Sequence, residues 1–352
     1  MTVIAGFTRN LLSKKALPLC LGDGGCSYAM TTIVLGYSNL TFVMIRYLEH
    51  SQIDRQKWDD LMAAHGPIYA YSWYLDVVHP NWEALVLDDY DAVMPITGGK
   101  KFGVHYLFQP FFVQQLGIVS KFPLSPEIQT SFLQAIPEKY RFCEIRLNEN
   151  NTFVGNIQGV DGHRNVVLDL NRPYETIRAN YHTNTKRNLT KAESNGLELT
   201  DGTELKEIIT LFRENRGLRV KAWGEEEYVT LTQLYEAARH NHHAFIVGVK
   251  LRETKELLCG GLFMTTPHRV VFLFSGCSEQ GKQLQAMSLM MDGVIRRYVG
   301  QTVLFDFEGS DDDNLARFYL GFGGEERSYP AYSFNRLSVI GKGLLKFWKR
   351  LK

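Results

Sequence analysis

The sequence lacks the short motifs that mark several common kinds of site. Its five cysteines include no Cys-x-x-Cys pair, and no group of cysteines and histidines has the spacing of zinc ligands. Neither a Gly-x-Ser-x-Gly turn nor a Gly-x4-Gly-Lys-Ser/Thr loop occurs. We therefore expect no metal site, no serine-hydrolase elbow and no P-loop. The odd number of scattered cysteines is explained most simply by reduced thiols in a cytoplasmic protein.

Long apolar runs and an excess of charge of one sign are absent as well. No stretch reaches the roughly 18 apolar residues that a membrane-spanning helix needs. Lysines and arginines number 39 against 38 aspartates and glutamates, so any attraction to nucleic acid or a membrane must come from local patches. Hydrophobic residues make up 45% of the chain, which is typical of a folded globular protein.

The chain alternates between strand and helix patterns, and its 352 residues favour two domains over one. We predict α/β (α+β) domains at residues 44–160 and 161–335, each with a mixed sheet flanked by helices. Residues 1–43 show no sustained period and no signal-peptide core. They are either an extension upstream of a natural start at Met44 or a flexible N-terminal arm. Residues 336–352 are predicted to form a basic tail.

A predicted strand in the second domain carries two carboxylates. In Val-Leu-Phe-Asp-Phe-Glu, residues 303–308, the strand period places Asp306 and Glu308 on one face and the phenylalanines on the other. Buried carboxylates need a partner or a function. The two acids therefore either line an acceptor site, where they would deprotonate or hold an amine, or are neutralised by basic neighbours. They are our candidate catalytic residues.

The acidic run after this strand indicates the start of a helix. Ser310 and Asp313 have the spacing of a capping box, and the two aspartates between them suit the positive end of a helix dipole. Arg317 follows Asp313 by four residues. It therefore either pairs with that carboxylate or binds a phosphate group.

Basic residues concentrate on a predicted helix that begins near Arg172. Lys186 and Arg187 lie on it, with tyrosines and a histidine between the charges. Such a strip is either a solvated helix face or a binding site for a polyphosphate, a lipid-linked pyrophosphate or an RNA end. We expect one long helix that ends at Asn195 and Gly196.

The second half of the chain resembles the FemAB-like acyltransferases over about residues 170–330. The resemblance lies in Asp-Phe-Glu-Gly at 306–309, Arg-Phe-Tyr-Leu-Gly-Phe-Gly at 317–323 and Lys-Arg-x-x-x-Lys-Ala-Glu at 186–193. Over 44–160 it extends only to the order of elements. It implies two tandem GNAT-fold domains and the transfer of an acyl or aminoacyl group to an amine, which attacks a bound thioester or ester directly.

The resemblance also bears on substrates. Members take acyl-CoA or aminoacyl-tRNA as donor, and the tRNA-dependent ones act on peptidoglycan precursors. The partners that it implies are therefore a small-molecule or lipid-linked amine acceptor and tRNA. Its donor-binding edge falls at the loop that contains Gln280, Gly281, Lys282 and Gln283. That loop has no second glycine at the spacing of the GNAT pyrophosphate loop, so the choice of donor stays open.

The tail is amphipathic if it is helical. Leu344, Phe347, Trp348 and Leu351 share one face, and basic residues occupy the other. Residues 342–352 therefore either touch a membrane surface or pack against the first domain, which the family resemblance favours. The rival to an enzyme is a catalytically silent GNAT scaffold that binds at the membrane surface. We expect a cytoplasmic protein, which membrane contact would make peripheral at the inner face.

Overall fold

The computed structural model describes most of the chain between residues 40 and 338. Before residue 44 it describes the backbone alone. The described ranges are 14–19, 27–35, 40–153, 158–220, 223–338 and 341–343. The predicted amphipathic face of the tail lies outside these residues, so membrane contact through 342–352 stays a prediction.

The first half alternates between strands and short helices. Asp54 begins the first helix, because its carboxylate accepts a hydrogen bond from the Lys57 amide at 3.1 Å. Ser125 caps the third helix and is followed by Pro126 at a position where proline is tolerated. The elements are β1 (Lys14–Leu19), β2 (Ser27–Leu35), β3 (Leu40–Leu48), α1 (Arg55–His65), α2 (Ser72–Val78), β4 (Glu83–Leu87), β5 (Ala92–Ile96), β6 (Gly98–Lys101), β7 (Val104–Phe108), β8 (Val119–Ser120), α3 (Pro126–Ala135) and β9 (Tyr140–Arg146).

The second half repeats the theme with longer helices. Its elements are β10 (Val160–Asp169), α4 (Tyr174–Ala179), α5 (Thr183–Ser194), β11 (Leu197–Thr200), α6 (Leu205–Glu214), α7 (Glu225–His240), β12 (Ala244–Leu251), β13 (Leu257–Thr266), β14 (Arg269–Cys277), α8 (Glu279–Gln283), α9 (Ala286–Tyr298), β15 (Leu304–Asp306), α10 (Asp313–Leu320) and β16 (Glu325–Asn335). Short 3-10 turns add Ile68–Ala70 in the first half and Arg216–Arg219 in the second.

Two sheets organise these elements. One has the order β1-β2-β3-β4-β5-β8, and the other has the order β11-β12-β13-β14-β15-β10-β16-β9-β7-β6. In the larger sheet β14 runs parallel to β15 and β7 runs parallel to β9, while its other neighbours are antiparallel. The described pairs of the smaller sheet are all antiparallel, so the larger sheet is the mixed one. Sheets with helices packed on them confirm the predicted α/β (α+β) fold class.

The larger sheet joins the two halves through β16. This strand inserts between β10 and β9, so three strands of the first half complete a sheet that the second half builds. The sheet therefore crosses the boundary predicted at residues 160/161. On the N-terminal side, β3 begins at Leu40, ahead of Met44. Both domain boundaries stay predictions.

One of the buried clusters is shared by the halves. Trp58, Tyr74 and Trp82 of the first half belong to the same cluster as Phe212 and Val271 of the second. Burying a large apolar side chain contributes about 1.5–3 kcal/mol, so this cluster holds the halves together. Side chains that contact each other across the two halves are therefore held in place by this packed cluster.

The predicted long basic helix is wrong, because the chain breaks it into α4 and α5. At the break Tyr181 turns inward and donates to the buried Asp292 at 2.9 Å. The amide of His182 donates to the Gly321 carbonyl at 2.9 Å, instead of to a carbonyl one turn earlier in a helix. The predicted stop is confirmed, since α5 ends at Ser194 with Asn195 as its C-cap, and Gly196 has a positive φ of 68°.

Candidate active site

Asp306 ends β15 as a buried carboxylate with several partners. Its Oδ2 forms an ion pair with an Arg269 nitrogen at 2.6 Å. Its Oδ1 accepts from the Asn165 amide group at 2.9 Å and from the Glu308 backbone amide at 3.0 Å. Arg269 also pairs with Glu149. Asp306 therefore has the basic partner of our second interpretation, and it holds the backbone of Glu308.

Glu308 reaches its place through a turn. The strand ends at Asp306, and both Glu308 and Gly309 have positive φ angles of 54° and 58°. The left-handed region is unfavourable for a glutamate by about 1–2 kcal/mol, and such residues often lie at functional sites. The predicted strand therefore ends at Asp306, and the turn that follows it positions the second carboxylate.

The Glu308 carboxylate lies between the two halves of the chain. The Tyr69 hydroxyl donates a hydrogen bond to its Oε1 across 239 residues of sequence. Tyr69 belongs to the Ile68–Ala70 turn and is almost fully buried. Burial raises the pKa of Glu308 to about 8; the Asp306 charge adds to this, whereas the Tyr69 hydrogen bond and the Arg146 charge oppose it. A carboxyl group with this pKa exchanges protons near neutral pH.

Arg146 supplies a positive charge beside this carboxylate. It lies on β9, on the face opposite to the buried Cys143 and Ile145. Its charge opposes the effect of burial on the pKa of Glu308, Asp311 and Tyr329, so the guanidinium lies close to all three. Within the part of the chain that the structure describes, this half-buried guanidinium has no hydrogen-bond or ion-pair partner. It can therefore accept an anionic group.

The loop after Glu308 is fastened to β10. The Arg164 Nε donates to the Ser310 carbonyl at 2.7 Å, and its guanidinium pairs with Asp313 at 2.7 Å. The neighbouring His163 ring stacks on Tyr329 with centroids 5.5 Å apart and lies 2.7 Å from Asp311. These contacts hold the loop that follows Glu308, and they therefore also fix the turn from which the Glu308 side chain extends.

The capping prediction for this loop is wrong in its residues. Asp312 begins α10 by accepting from the amides of Asn314 and Leu315 at 2.8 and 3.1 Å. Ser310 is buried, and its hydroxyl donates to the Glu308 carbonyl at 3.0 Å. The helix begins later than predicted, because Arg164 holds the loop before it. Asp313 pairs with Arg164, and no ion pair joins it to Arg317 in the described chain.

The predicted donor-binding loop is the short helix α8. The Gly281 amide donates to the Ser278 hydroxyl at 3.0 Å, and a Cβ on Gly281 would lie 2.4 Å from the Leu258 carbonyl oxygen. Gly281 therefore serves close packing, and its amide is already bonded. Lys282 pairs with Glu279, while the exposed side chains beside it are those of Gln280 and Gln283. These residues stay predictions as donor contacts.

The remaining predicted phosphate-binding residues lie on α5 and α10. Lys186 donates to the Ala179 carbonyl at 2.8 Å, and Arg187 donates to Asn184 at 2.6 Å. Arg317 is exposed. Among the described residues, no hydrogen bond or ion pair joins any of the three to Glu308. They stay predictions, and the structure does not gather them into one group with the carboxylates.

Sequence reasoning missed Tyr69 and Arg146. Nothing local distinguishes Tyr69, which lies in an aromatic-rich segment and finds its partner in the other half of the chain. Arg146 had a weak signal. It follows the alternating buried residues Cys143 and Ile145 at the end of β9, so strand alternation puts its charged side chain on the other face.

The similarity of this chain to known proteins is a similarity of fold. No family model and no curated protein matches the sequence. Among solved structures, FemX aligns with a TM-score of 0.58 at 11% identity, over 79% of this chain and 96% of that one. The chain has the fold of FemX. The predicted FemAB-like architecture is therefore confirmed as a fold.

A second solved structure shares this FemX-like fold. A conserved protein of unknown function from Bacteroides thetaiotaomicron VPI-5482 aligns with a TM-score of 0.52 at 10% identity. The alignment covers 80% of this chain and 97% of that one. At such identities the likeness establishes the fold alone.

Two further observations apply to the described residues only. No helix there is long and apolar enough to cross a membrane. In the same residues, no cluster of three or more histidine, cysteine, aspartate and glutamate side chains could hold a metal ion.

Removing the Tyr69 hydroxyl should raise the pKa of Glu308 further. In Tyr69→Phe the carboxylate loses a donor that favours its charged form, so we expect a pKa above the present value of about 8. Carboxyl-carbon NMR of the titrating glutamate measures it. Tyr140→Phe is the matched control, since it removes a tyrosine hydroxyl that donates to Glu83. If the pKa of Glu308 is the same in Tyr69→Phe as in Tyr140→Phe, the Tyr69 hydroxyl does not stabilise the charged form of Glu308.

Proposed function

We propose that the protein transfers an acyl or aminoacyl group to an amine, with Glu308 as the general base. The observation that carries this proposal is the Glu308 carboxyl group, which burial tunes to a pKa of about 8 between the two halves. The FemX-like fold and the sequence motifs of acyltransferases support the same reaction class.

The chemistry needs a base near neutral pH. An alkyl amine with an ordinary pKa of about 10.4 is mostly protonated at pH 7 and has no free electron pair. The neutral amine attacks the donor carbonyl, forming an N–C bond as the C–S bond of a thioester or the C–O bond of an ester breaks. The ammonium releases one proton to solvent before the attack. Glu308 takes the second proton that the nitrogen loses and delivers it to the sulfur or oxygen as that atom departs. No covalent enzyme intermediate forms.

The neighbours of Glu308 have supporting roles in this reaction. Asp306 is a positioning residue, because it accepts from the Glu308 backbone amide at 3.0 Å and thereby holds the turn. Tyr69 orients the carboxylate and favours its charged form. Our sequence prediction of two candidate bases is thus narrowed to one.

We further propose that Arg146 selects an acceptor that carries an anionic group. A half-buried guanidinium that has no partner among the described residues suits a phosphate or carboxylate, which Arg can bind through two parallel hydrogen bonds. A lipid-linked or nucleotide-linked amine has such a group. The donor is acyl-CoA or aminoacyl-tRNA, with Gln280, Lys282, Gln283, Lys186, Arg187 and Arg317 as candidate contacts.

Replacing Arg146 should weaken acceptor binding more than it slows turnover. A hydrogen bond to a charged group contributes about 1.5–3 kcal/mol, so Arg146→Gln should raise the acceptor KM by roughly 10–100-fold. Steady-state kinetics at saturating donor measures KM and kcat separately. Arg146→Lys should recover part of the loss, and Arg239→Gln, exposed on α7, is the control. An unchanged KM with a reduced kcat would contradict this role.

The donor can be identified without knowing the acceptor. Thermal unfolding of the full chain is measured with acetyl-CoA, CoA and aminoacyl-tRNA, because a ligand at 100 times its Kd stabilises by about 2.7 kcal/mol. Stabilisation by acetyl-CoA and CoA identifies a CoA-dependent enzyme, whereas stabilisation by aminoacyl-tRNA alone identifies the tRNA-dependent class. No stabilisation by any of them favours the silent scaffold, which would then be tested by liposome co-sedimentation with and without residues 341–352.

We place the protein in the cytoplasm, where both candidate donors are found. Contact with the inner membrane face through residues 342–352 is a further part of the proposal, motivated by the amphipathic pattern of that segment. A lipid-linked acceptor would make such contact useful, since it brings the protein to the membrane surface in which that acceptor is anchored.

A further inference from the structure

Two cysteines face each other across neighbouring strands. Cys259 on β13 and Cys277 on β14 are direct partners in the antiparallel register. The Ser278 amide donates to the Leu258 carbonyl at 2.9 Å, so the adjoining pair of residues is the hydrogen-bonded one. The cysteines therefore occupy a non-hydrogen-bonded pair, in which the Cα atoms lie about 4.5 Å apart and the side chains approach most closely.

This spacing meets the requirement of a disulfide. Disulfide-bonded cysteines usually have Cα atoms about 4.4–6.8 Å apart and Cβ atoms about 3.5–4.5 Å apart. Opposite residues of an antiparallel pair also point to the same face, which here is the face that packs against α9. Both residues carry free thiols in the structure. The bond can therefore close with little movement of the backbone.

The two thiols differ in a way that suits sequential oxidation. The hydrogen bond from Cys259, helped by the nearby Lys282, lowers the pKa of Cys277 despite its burial. Cys277 is half-buried and Cys259 fully buried, so an oxidant reaches Cys277 first. Cys143 provides a contrast, because burial raises the pKa of its thiol and no cysteine is its cross-strand partner in the described sheets.

We propose that Cys259 and Cys277 are a redox pair that closes a reversible disulfide when the protein meets a peroxide. The Cys277 thiolate attacks one peroxide oxygen, the O–O bond breaks, and a sulfenic acid and one water form. The Cys259 sulfur then attacks the Cys277 sulfur, the S–O bond breaks, and a second water leaves. Two thiols lose two hydrogens in total, and one peroxide becomes two waters. A thiol reductant reverses the change.

The position of the pair connects it to α8. Cys277 directly precedes Ser278, the residue that caps this helix. A Cβ placed on Gly281 would lie 3.0 Å from the Cys277 sulfur, so the helix rests on the thiol that would move. Because α8 carries Gln280, Lys282 and Gln283, closing the disulfide would change the position of the residues that are predicted to contact the donor. This consequence rests on the proposed function, but the formation of the disulfide does not.

Peptide mass mapping of the full chain tests the pair. The reduced protein is treated with hydrogen peroxide, its remaining thiols are blocked with N-ethylmaleimide, and the digest is analysed with and without dithiothreitol. We expect one linked peptide pair, two hydrogens lighter than the separate reduced peptides, that contains Cys259 and Cys277 and disappears on reduction. Cys143→Ser should keep the linked pair, and Cys277→Ser should leave Cys259 open to alkylation after unfolding.

Two results would overturn the proposal. The first is that Cys259 and Cys277 can both still be alkylated after treatment with excess peroxide. This result counts against the pair whether or not another cysteine has been oxidised. The other is Cys277 converted to a sulfinic acid with the Cys259 thiol intact. Because the readout is a mass, neither result depends on whether the protein transfers acyl groups. A failed acylation assay together with a confirmed disulfide would count against the proposed function alone.

Discussion

Glu308→Gln is expected to slow acyl transfer by about 10²–10⁴-fold while the chain stays folded, because a general base usually contributes that much. Glutamine keeps the size of the side chain and can still accept the Tyr69 hydrogen bond, but it takes up no proton. In the wild-type protein kcat/KM should rise with pH through a midpoint near the Glu308 pKa of about 8. The variant should lose this dependence, which the pH profile measures.

The same substitution should stabilise the fold at alkaline pH. Between the usual glutamate pKa of 4.5 and the folded value of about 8, the folded chain keeps a proton on Glu308 that the unfolded chain releases. The wild-type free energy of unfolding therefore falls as pH rises through this range. Glutamine has no such proton. The melting temperature of Glu308→Gln, relative to that of the wild type at the same pH, should therefore increase from pH 5 to about pH 8.

Glu83→Gln is the matched control for Glu308→Gln. Glu83 also accepts a tyrosine hydrogen bond, from Tyr140, but Lys139 pairs with it at 2.8 Å and its pKa is lowered, chiefly by these partners against the effect of burial. This control should keep the pH profile of transfer. The proposal of a general base fails if folded Glu308→Gln transfers at the wild-type rate, whatever its melting temperature.

Arg269→Gln should lower the free energy of unfolding by about 3–5 kcal/mol, because it leaves two carboxylates without their cation. Arg269 pairs with Asp306 at 2.6 Å and with Glu149, and Asp306 is only 1% exposed. Arg327 lies 3.5 Å from Glu149 but is more exposed, so it compensates only part of the charge. Urea unfolding measures the loss.

A surface ion pair provides the comparison for Arg269. Arg172 lies 3.5 Å from Asp169, and both side chains are well exposed. Arg172→Gln should therefore change the free energy of unfolding by about 0–1 kcal/mol. Similar losses in the two variants would mean that water or a rearranged side chain solvates the Asp306 carboxylate, and that this ion pair does not support the turn before Glu308.

The sequence predicted the fold class because local patterns determine it. Strand and helix periods alternate along the chain, and the motifs at 306–309 and 317–323 begin at the end of β15 and within α10. It also singled out Asp306 and Glu308, since acids in an apolar strand need a reason. Their separate roles depend on Arg269 and Tyr69, which lie 37 and 239 residues away, and no local period encodes such contacts.

The errors in the sequence predictions have the same origin. A run of three aspartates offers several equivalent helix caps, and a bond from Arg164 on β10 decides that Asp312 begins α10. The residues that we predicted to form one long basic helix likewise show an unbroken helical pattern in the sequence. Its break is caused by Asp292, which attracts the Tyr181 hydroxyl from a distant helix. Tertiary partners thus overrode local preference in both places.

The insertion of β16 between β10 and β9 has a consequence for synthesis on the ribosome. Residues Arg146 and Phe142 of β9 pair with Ala331 and Asn335 of β16, which are made 185 and 193 residues later. At about 5–20 residues per second, one edge of β9 stays unpaired for on the order of ten seconds or more after it is translated. An open strand edge attracts other strands. We therefore expect nascent chains of this protein to depend on chaperones until β16 has emerged.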